Sequence, residues 1–364
     1  MKASIITLHA VLNYGSVLQT YATQRLFEKH GFETEVVDYR RDAVMLTSLK
    51  SILLNKEFGL GYKAKLILML PSSKKSRKIF DGFLNRNVKQ TDICYREESD
   101  FEEYPIDADV YCTGSDQVWN TGWHNEIPRP FYLTYAPNDK RIISFSASFG
   151  KEHLDEWEKS GTKELLDRYD YISVREKSAV QIVEDLGIKE CEHVLDPTLA
   201  INPQIWYDLA ADRVVKEKYI LVYQLNNNSK FDEYAEKLAK KKNIKLIRLC
   251  TRYDQLRKTG NGIVLPTVEE FLALFRDAEC VITDSFHATS FSLIFNKKFI
   301  NIFPELFSTR LASILELVGL KERKLTDYSN FDLFDKDISY SGVNDILNKE
   351  RTKTEAFLTK ALKF

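Results

Sequence analysis

Hydrophobic and polar positions along the chain fall into two blocks that follow the same order. Ala3 to Leu8 is a short β-rich run, the polar turn Asn13-Tyr14-Gly15 comes after it, and Ser16 to Lys29 then places Val17, Tyr21, Leu26 and Phe27 at helical spacing. Gly31 closes that helix, Thr34 to Val37 supplies the next strand, and Asp38 stands at its carboxyl end. The chain therefore opens with a βαβ unit of the parallel class. Val110 to Thr113, Ile142 to Ser146 and Tyr171 to Val174 read as strands, and Lys151 to Asp167 and Ser178 to Asp185 as helices. The pattern pauses after Leu195-Asp196-Pro197, where Pro197 and Pro203 flank a predicted linker over 197–215.

The second block begins with a strand at Tyr219 to Gln224 and a helix at Phe231 to Lys241. A strand at Lys245 to Leu249, a helix at Thr267 to Asp277 and a strand at Cys280 to Thr283 continue it. The expected organisation is an α/β protein with a first domain over 1–205, a second over 216–340 and a closing helix over 343–364 that returns to the first domain. One stretch departs from this pattern. Between Ala43 and Phe80 eight Lys and Arg stand against a single Glu57, interleaved with Leu, Ile, Met and Phe. It reads as an insertion of basic amphipathic helices that either rests on an anionic membrane surface or packs its apolar side on the first domain.

Composition narrows the class. The 364 residues are 44% hydrophobic with only nine Pro and 14 Gly, which excludes disordered and fibrous chains. Lys and Arg number 52 against 53 Asp and Glu, so no global positive field exists to wrap nucleic acid, and no nucleic-acid partner is expected. The five cysteines are far apart and show no CxxC spacing, the histidines show no HExxH or HxH spacing, and no metal site is expected. The amino terminus meets polar residues too early for a secretory segment, and no run approaches a membrane span. A cytoplasmic protein is the expectation, peripheral on the membrane if the basic insertion binds lipid.

Parallel α/β domains hold ligands at the carboxyl ends of their strands, and four such loops stand out. Asn13-Tyr14-Gly15-Ser16 opens the first helix and offers free N–H groups to an anion; an ordinary capped turn accounts for it equally. Thr113-Gly114-Ser115-Asp116-Gln117-Val118-Trp119-Asn120 is dense in groups that bind sugar hydroxyls, with Trp119 expected to stack on a pyranose ring. Arg175, where a strand hands over to a helix, either clamps an anion bidentately or pairs with Glu176 or Asp196. In Thr283-Asp284-Ser285-Phe286-His287, Ser285 is an N-cap and His287 lies in the first turn beside an anion-attracting helix end. It is either a general acid or a buried structural histidine.

Taken together, these motifs resemble the polysaccharide pyruvyl transferases. The resemblance runs from the first strand to about residue 320 and rests on TGSDQVWN at 113–120, LNYGSVLQTYATQ at 12–24, SVRE at 173–176, VLDPTL at 194–199 and TDSFHATSFSLIF at 283–295. It implies a GT-B-like fold, two Rossmann-like domains facing an interdomain cleft. It implies phosphoenolpyruvate as donor, no metal or organic cofactor, and a sugar acceptor, expected to be a lipid-linked oligosaccharide of capsule or exopolysaccharide synthesis. Carried over by position, the donor-binding arginine falls on Arg175 and the catalytic histidine on His287. Many members read Arg-Leu-His where this chain reads Ser285-Phe286-His287, so Ser285 and Arg310 are expected to supply the missing donor contacts. On the acceptor side the expected residues are Asn13, Gln117 and Trp119, with Asp116 as the base. A GT-B glycosyltransferase with a nucleotide-sugar donor and a non-catalytic glycan-binding protein are the other two readings.

Overall fold

The computed structural model describes residues 1–40, 59–124, 126–304 and 309–363. Its first sheet is built from β1 (Lys2–Ile6), β2 (Glu33–Tyr39), β3 (Gln90–Tyr95), β4 (Val110–Thr113) and β5 (Arg141–Ser144). All are parallel, in the order β3-β2-β1-β4-β5. A ribbon of β6 (Ile172–Val174) and β7 (Cys191–His193) extends the sheet through single bridges from Ile143 to Tyr171 and from Ala147 to Val174. The second sheet repeats the order as β10-β9-β8-β11-β12, again parallel, from β8 (Tyr219–Tyr223), β9 (Lys245–Cys250), β10 (Asn261–Val264), β11 (Cys280–Thr283) and β12 (Lys298–Asn301). Two Rossmann-like sheets with crossover helices result, the GT-B-like arrangement expected from the sequence. Each reverses its strand order at one point, between β1 and β4 and between β8 and β11, and ligand crevices form outside the strand ends there.

The helices that position the site and join the domains are α1 (Tyr14–Lys29), α2 (Leu60–Asn87), α3 (Lys177–Asp185), α4 (Pro197–Ala200), α5 (Ser229–Lys242), α6 (Val268–Arg276), α7 (Phe286–Ile294), α8 (Thr309–Leu317) and α9 (Tyr340–Ala361). The part of the basic insertion before Gly59, with Lys50, Lys56 and Glu57, lies outside the described residues. The remainder is one long helix, α2, that carries Pro71 within it.

The two sheets share one hydrophobic core. Tyr14, the first residue of α1, stacks on Phe271 of α6 with ring centroids 4.3 Å apart and donates its hydroxyl to the Pro266 carbonyl at 2.6 Å. Trp206 meets Tyr21 of α1 on one side and Phe291 of α7 on the other, and its indole N–H donates to the Thr198 carbonyl at 2.9 Å. The segment over 197–215 therefore does not hang free: α4 is buried and Trp206 is wholly so. Helix α9 returns along the first domain. Its Thr354 hydroxyl accepts the Leu195 N–H at 3.1 Å, and Arg351 donates to the Leu199 carbonyl at 2.8 Å.

Because Trp206 fills the seam between α1 and α7, Trp206→Ala should cost about 3–5 kcal/mol, the usual range for emptying a buried aromatic site. Denaturant unfolding of the purified variant measures it, and a loss under about 1 kcal/mol contradicts the shared core.

Candidate active site

Three helix starts converge between the sheets, and each is capped by a short polar side chain. The Asn13 side-chain oxygen accepts the Gly15 N–H at 2.8 Å at the start of α1. Asp196 Oδ1 accepts the N–H and the hydroxyl of Thr198 at 2.9 and 2.6 Å, with Pro197 in the first helical position of α4. The Ser285 hydroxyl accepts the Ala288 N–H at 3.4 Å at the start of α7. Capped in this way, the three ends remain centres of partial positive charge. The contact between α1 and α7 is closest at Gly15. A Cβ built there would lie 2.0 Å from His287 Nδ1, so the histidine ring occupies the space a side chain would need.

Around these ends lies a buried cluster of charge. Arg175 Nη1 donates to Asp196 Oδ2 at 2.8 Å, while its Nη2 stands 3.5 Å from Asp116 Oδ1 and its Nε 3.9 Å from Glu176 Oε2. His287 Nε2 is 3.8 Å from the same Asp196 oxygen, and Arg310 Nη1 is 4.0 Å from Asp116 Oδ1. Phe286 lies under the Arg175 guanidinium at 4.8 Å. Asp116 also accepts from the Ser16 hydroxyl at 2.8 Å and from the Gln117 N–H at 2.9 Å. Its φ of 77° is a left-handed conformation unusual outside glycine, though aspartate tolerates it better than most residues. Arg175 Nε and Nη2, Arg310 Nε and His287 Nε2 are buried without a hydrogen-bond acceptor among the described residues. Unmet buried donors of this kind are rare, and an anion's oxygens would satisfy them.

Burial disfavours charge on every group here, and the neighbours decide the outcome. For Asp196, burial raises the proton affinity, but His287 and then Arg175 and Thr198 overwhelm it, holding the carboxyl well below its ordinary range. Asp116 is likewise raised by burial but drawn below its usual value by Arg175, His287, Arg310 and Ser16. Arg310 is pushed down to about 10 by burial and by Arg175, with Asp116, Glu176 and Asp196 opposing. His193 lies behind this cluster, its Nε2 3.1 Å from the Arg175 carbonyl. Burial and Lys353 push it down to about 4, so it stands neutral with that nitrogen donating.

The structure gathers Asp116, Arg175, Ser285, His287 and Arg310 into one region and corrects the acceptor side. Trp119, expected to stack on a sugar ring, is fully buried. It lies parallel to Tyr132 with centroids 5.3 Å apart, and its N–H donates to the Phe131 carbonyl at 3.2 Å. An indole with a nearby carbonyl gains more from the core than from solvent. Gln117 is also turned inward: its Oε1 accepts from Asn120 at 2.6 Å, and Gly150 leaves it room, since a Cβ there would lie 2.1 Å from that oxygen. Asn13 acts as a helix cap. Asp116, expected as the base, is a weak one, because a carboxylate beside two guanidinium groups gives up affinity for a proton. Asp196 joins Arg175 to His287 and was not among the expected site residues; the Asp-Pro pair of a helix start is the sequence signal that marks it. Ser115, which donates to Asp196 Oδ2 at 3.0 Å, was also missed.

Two parallel α/β sheets of the same strand order, meeting at a seam that buries a cluster of charged side chains, define the class: a GT-B-like protein. The UDP-GlcNAc 2-epimerase of Methanocaldococcus jannaschii, solved with UDP-GlcNAc and UDP, aligns with a TM-score of 0.52 at 14% identity over 100% of this chain and 99% of its own. The UDP-GlcNAc 2-epimerase of Neisseria meningitidis, bound to UDP-GlcNAc, aligns with a TM-score of 0.51 at 10% identity over 100% and 99%. At such identities the likeness is one of fold. No curated protein matches the sequence significantly. The model of the polysaccharide pyruvyl transferase family matches residues 13–302, and the chain belongs to that family.

This geometry has two measurable outcomes. Gly15→Ala drives a methyl group into the His287 ring, so it should cost about 1–3 kcal/mol, read by denaturant unfolding, and its crystal structure should show the ring displaced. The pH dependence of stability should divide near pH 4. His193 has a folded value below its unfolded one near 6.5, so stability should fall as pH drops from about 6.5 to 4. The Asp196 contribution is present above about 4 and is lost below it. His193→Gln, which keeps a donor for the Arg175 carbonyl, should flatten the profile between 6.5 and 4; an unchanged slope there contradicts the assignment.

Proposed function

We propose that this chain is a polysaccharide pyruvyl transferase in activity as well as family, moving the pyruvyl group of phosphoenolpyruvate onto two hydroxyls of one sugar as a cyclic ketal with release of phosphate. The observation that carries the reading is the set of unsatisfied donors on Arg175, Arg310 and His287, which suits a small, multiply charged donor. Three carboxylates share the cluster: Asp116 and Asp196 are engaged by donors of the chain itself, and Glu176 accepts from the Ser148 hydroxyl through Oε1 while its Oε2 is unpaired among the described residues, so four unmet N–H positions stand against one unmet carboxylate oxygen.

In this mechanism Arg175 and Arg310 bind the donor's anionic groups, and the α7 amino terminus behind Ser285 favours negative charge on the phosphate. His287 delivers a proton to the methylene carbon, so that positive character develops at the central carbon. One sugar hydroxyl adds there, the C–O bond to phosphate breaks, and the second hydroxyl closes the ring. Of the two hydroxyl protons, one restores His287 and the other leaves with phosphate. Asp116 and Asp196 serve as fixed counter-charges that hold the guanidinium groups and the imidazole in place. The acceptor is a sugar, in this reading a lipid-linked oligosaccharide of capsule or exopolysaccharide synthesis. The fold is also compatible with a nucleotide-sugar donor or with glycan binding without turnover, and ligand-dependent stabilisation separates the three.

Saturating phosphoenolpyruvate, at a hundredfold its Kd, should stabilise the purified protein by about 2.7 kcal/mol, seen as a rise in Tm. Arg175→Lys keeps the charge but not the two-pronged geometry and should lose most of that rise. With a competent glycan, His287→Asn should retain the Tm rise and lower phosphate release about 10²- to 10⁴-fold. A rise with nucleotide sugars alone moves the assignment to glycosyl transfer, and glycan-induced stabilisation without any phosphate release moves it to binding.

A further inference from the structure

Helix α2 is the part of the structure that the proposed chemistry leaves unused. From Gly59 to Phe80 it carries six Lys and Arg and no acidic residue, in a chain whose overall charge is −1. Lys65, Leu68, Lys74 and Lys78 are exposed, Leu68 at 81%, and Tyr62 is half exposed at 50%. Leu66, Ile67, Met69 and Leu70 are only partly covered. From Ser72 onward the same helix is fastened to both domains. Ser72 Oγ accepts the Tyr253 N–H at 3.0 Å, Lys75 donates to the Val264 carbonyl at 2.7 Å, and Arg86 pairs with Glu269 at 3.0 Å. Phe80 meets the Tyr14 ring edge-on at 4.8 Å.

We propose that the exposed side chains of α2 between Tyr62 and Lys78 dock the protein on an anionic lipid surface. Exposed leucine set among lysines matches a bilayer interface, where the apolar side chain enters the acyl boundary and the lysine stems carry their ammonium groups to the headgroups. An acidic protein surface would be served by the lysines alone and gives no account of Leu68. A second copy of the chain would bring like charges against like. No helix among the described residues is long and apolar enough to cross a membrane, so the contact lies in the interface plane. Leu68 precedes Phe80 by twelve residues, about 18 Å of helix. Phe80 touches Tyr14, and the next residue, Gly15, is the one packed on His287. Docking through α2 therefore fixes the distance between the lipid surface and the seam that holds the site, in reach of an acceptor carried on a lipid.

The test is co-sedimentation of the full chain with vesicles of phosphatidylcholine alone and of phosphatidylcholine mixed with phosphatidylglycerol. Binding is expected to the mixed vesicles only and to weaken with salt. Lys65→Glu, Lys74→Glu and Lys78→Glu combined should lower it at least about tenfold, as should Leu68→Asp, while Lys237→Glu on α5 leaves it unchanged. Circular dichroism and Tm report that each variant is folded. Absence of binding, equal binding to both vesicles, or undiminished binding by a folded triple variant overturns the proposal. So does a wild-type dimer that Leu68→Asp dissolves without any vesicle binding. Stabilisation by phosphoenolpyruvate is measured without lipid, so failure of this proposal and failure of the donor reading are separately visible.

Discussion

The buried carboxylate of Asp196 is the point from which the site is organised. A charge without solvent persists only when its partners supply what water would have given, and Asp196 receives bonds from Thr198, Ser115 and Arg175, with His287 beside it. These partners come from separate stretches of chain. Ser115 follows β4, Arg175 follows β6, Thr198 opens α4, and His287 opens α7 in the second domain. One ion thus ties together the ends of two sheets. The surrounding aromatic core, Tyr14 on Phe271 and Trp206 between α1 and α7, keeps water out and holds the geometry that the ion requires.

That arrangement gives the site a specific character. Asp116 and Asp196 are consumed by internal bonds, while the guanidinium and imidazole groups retain unused donors and Glu176 one unpaired oxygen. An anion's oxygens brought to those donors would meet groups already fixed in place inside a low-dielectric seam, where such interactions gain strength. The domain arrangement matches that of the two UDP-GlcNAc 2-epimerases, but at 10–14% identity the common element is architecture. Chemistry resides in the side chains that each family places at the strand ends, and membership of the polysaccharide pyruvyl transferase family rests on the sequence match over 13–302.

Much of the fold was legible because central parallel strands are short apolar runs and the helices between them carry a clear period. The strands the pattern does not predict are β3, β7, β10 and β12, the outer strands of the two sheets. Gln90–Tyr95 and Asn261–Val264 carry polar residues on exposed faces, as edges do, and so lack the apolar signature of a buried strand. The predicted helix over 151–167 begins instead at Glu156, because Asp155 and Glu158 form a capping box there. The linker expected at 197–215 turned out to be packed, since Trp206 found a seam that only the folded domains create.

For the site, the chain by itself determined which loops follow strands and which polar groups those loops carry. Local rules of capping and strand-to-helix turns act over a few residues, and Asn13, Arg175, Ser285 and His287 could be singled out on that basis. What the local pattern did not reveal is which side chains of one loop face inward. Within 113–120, Asp116 reaches the charge cluster while Gln117, Trp119 and Asn120 pack into the first domain, a division set by the backbone at Asp116 and by the room left at Gly150. The meeting of Arg175 and Asp196 from one domain with His287 and Arg310 from the other was decided only by tertiary structure. Burial makes their charges interact strongly, and burial is a property of the whole packed molecule.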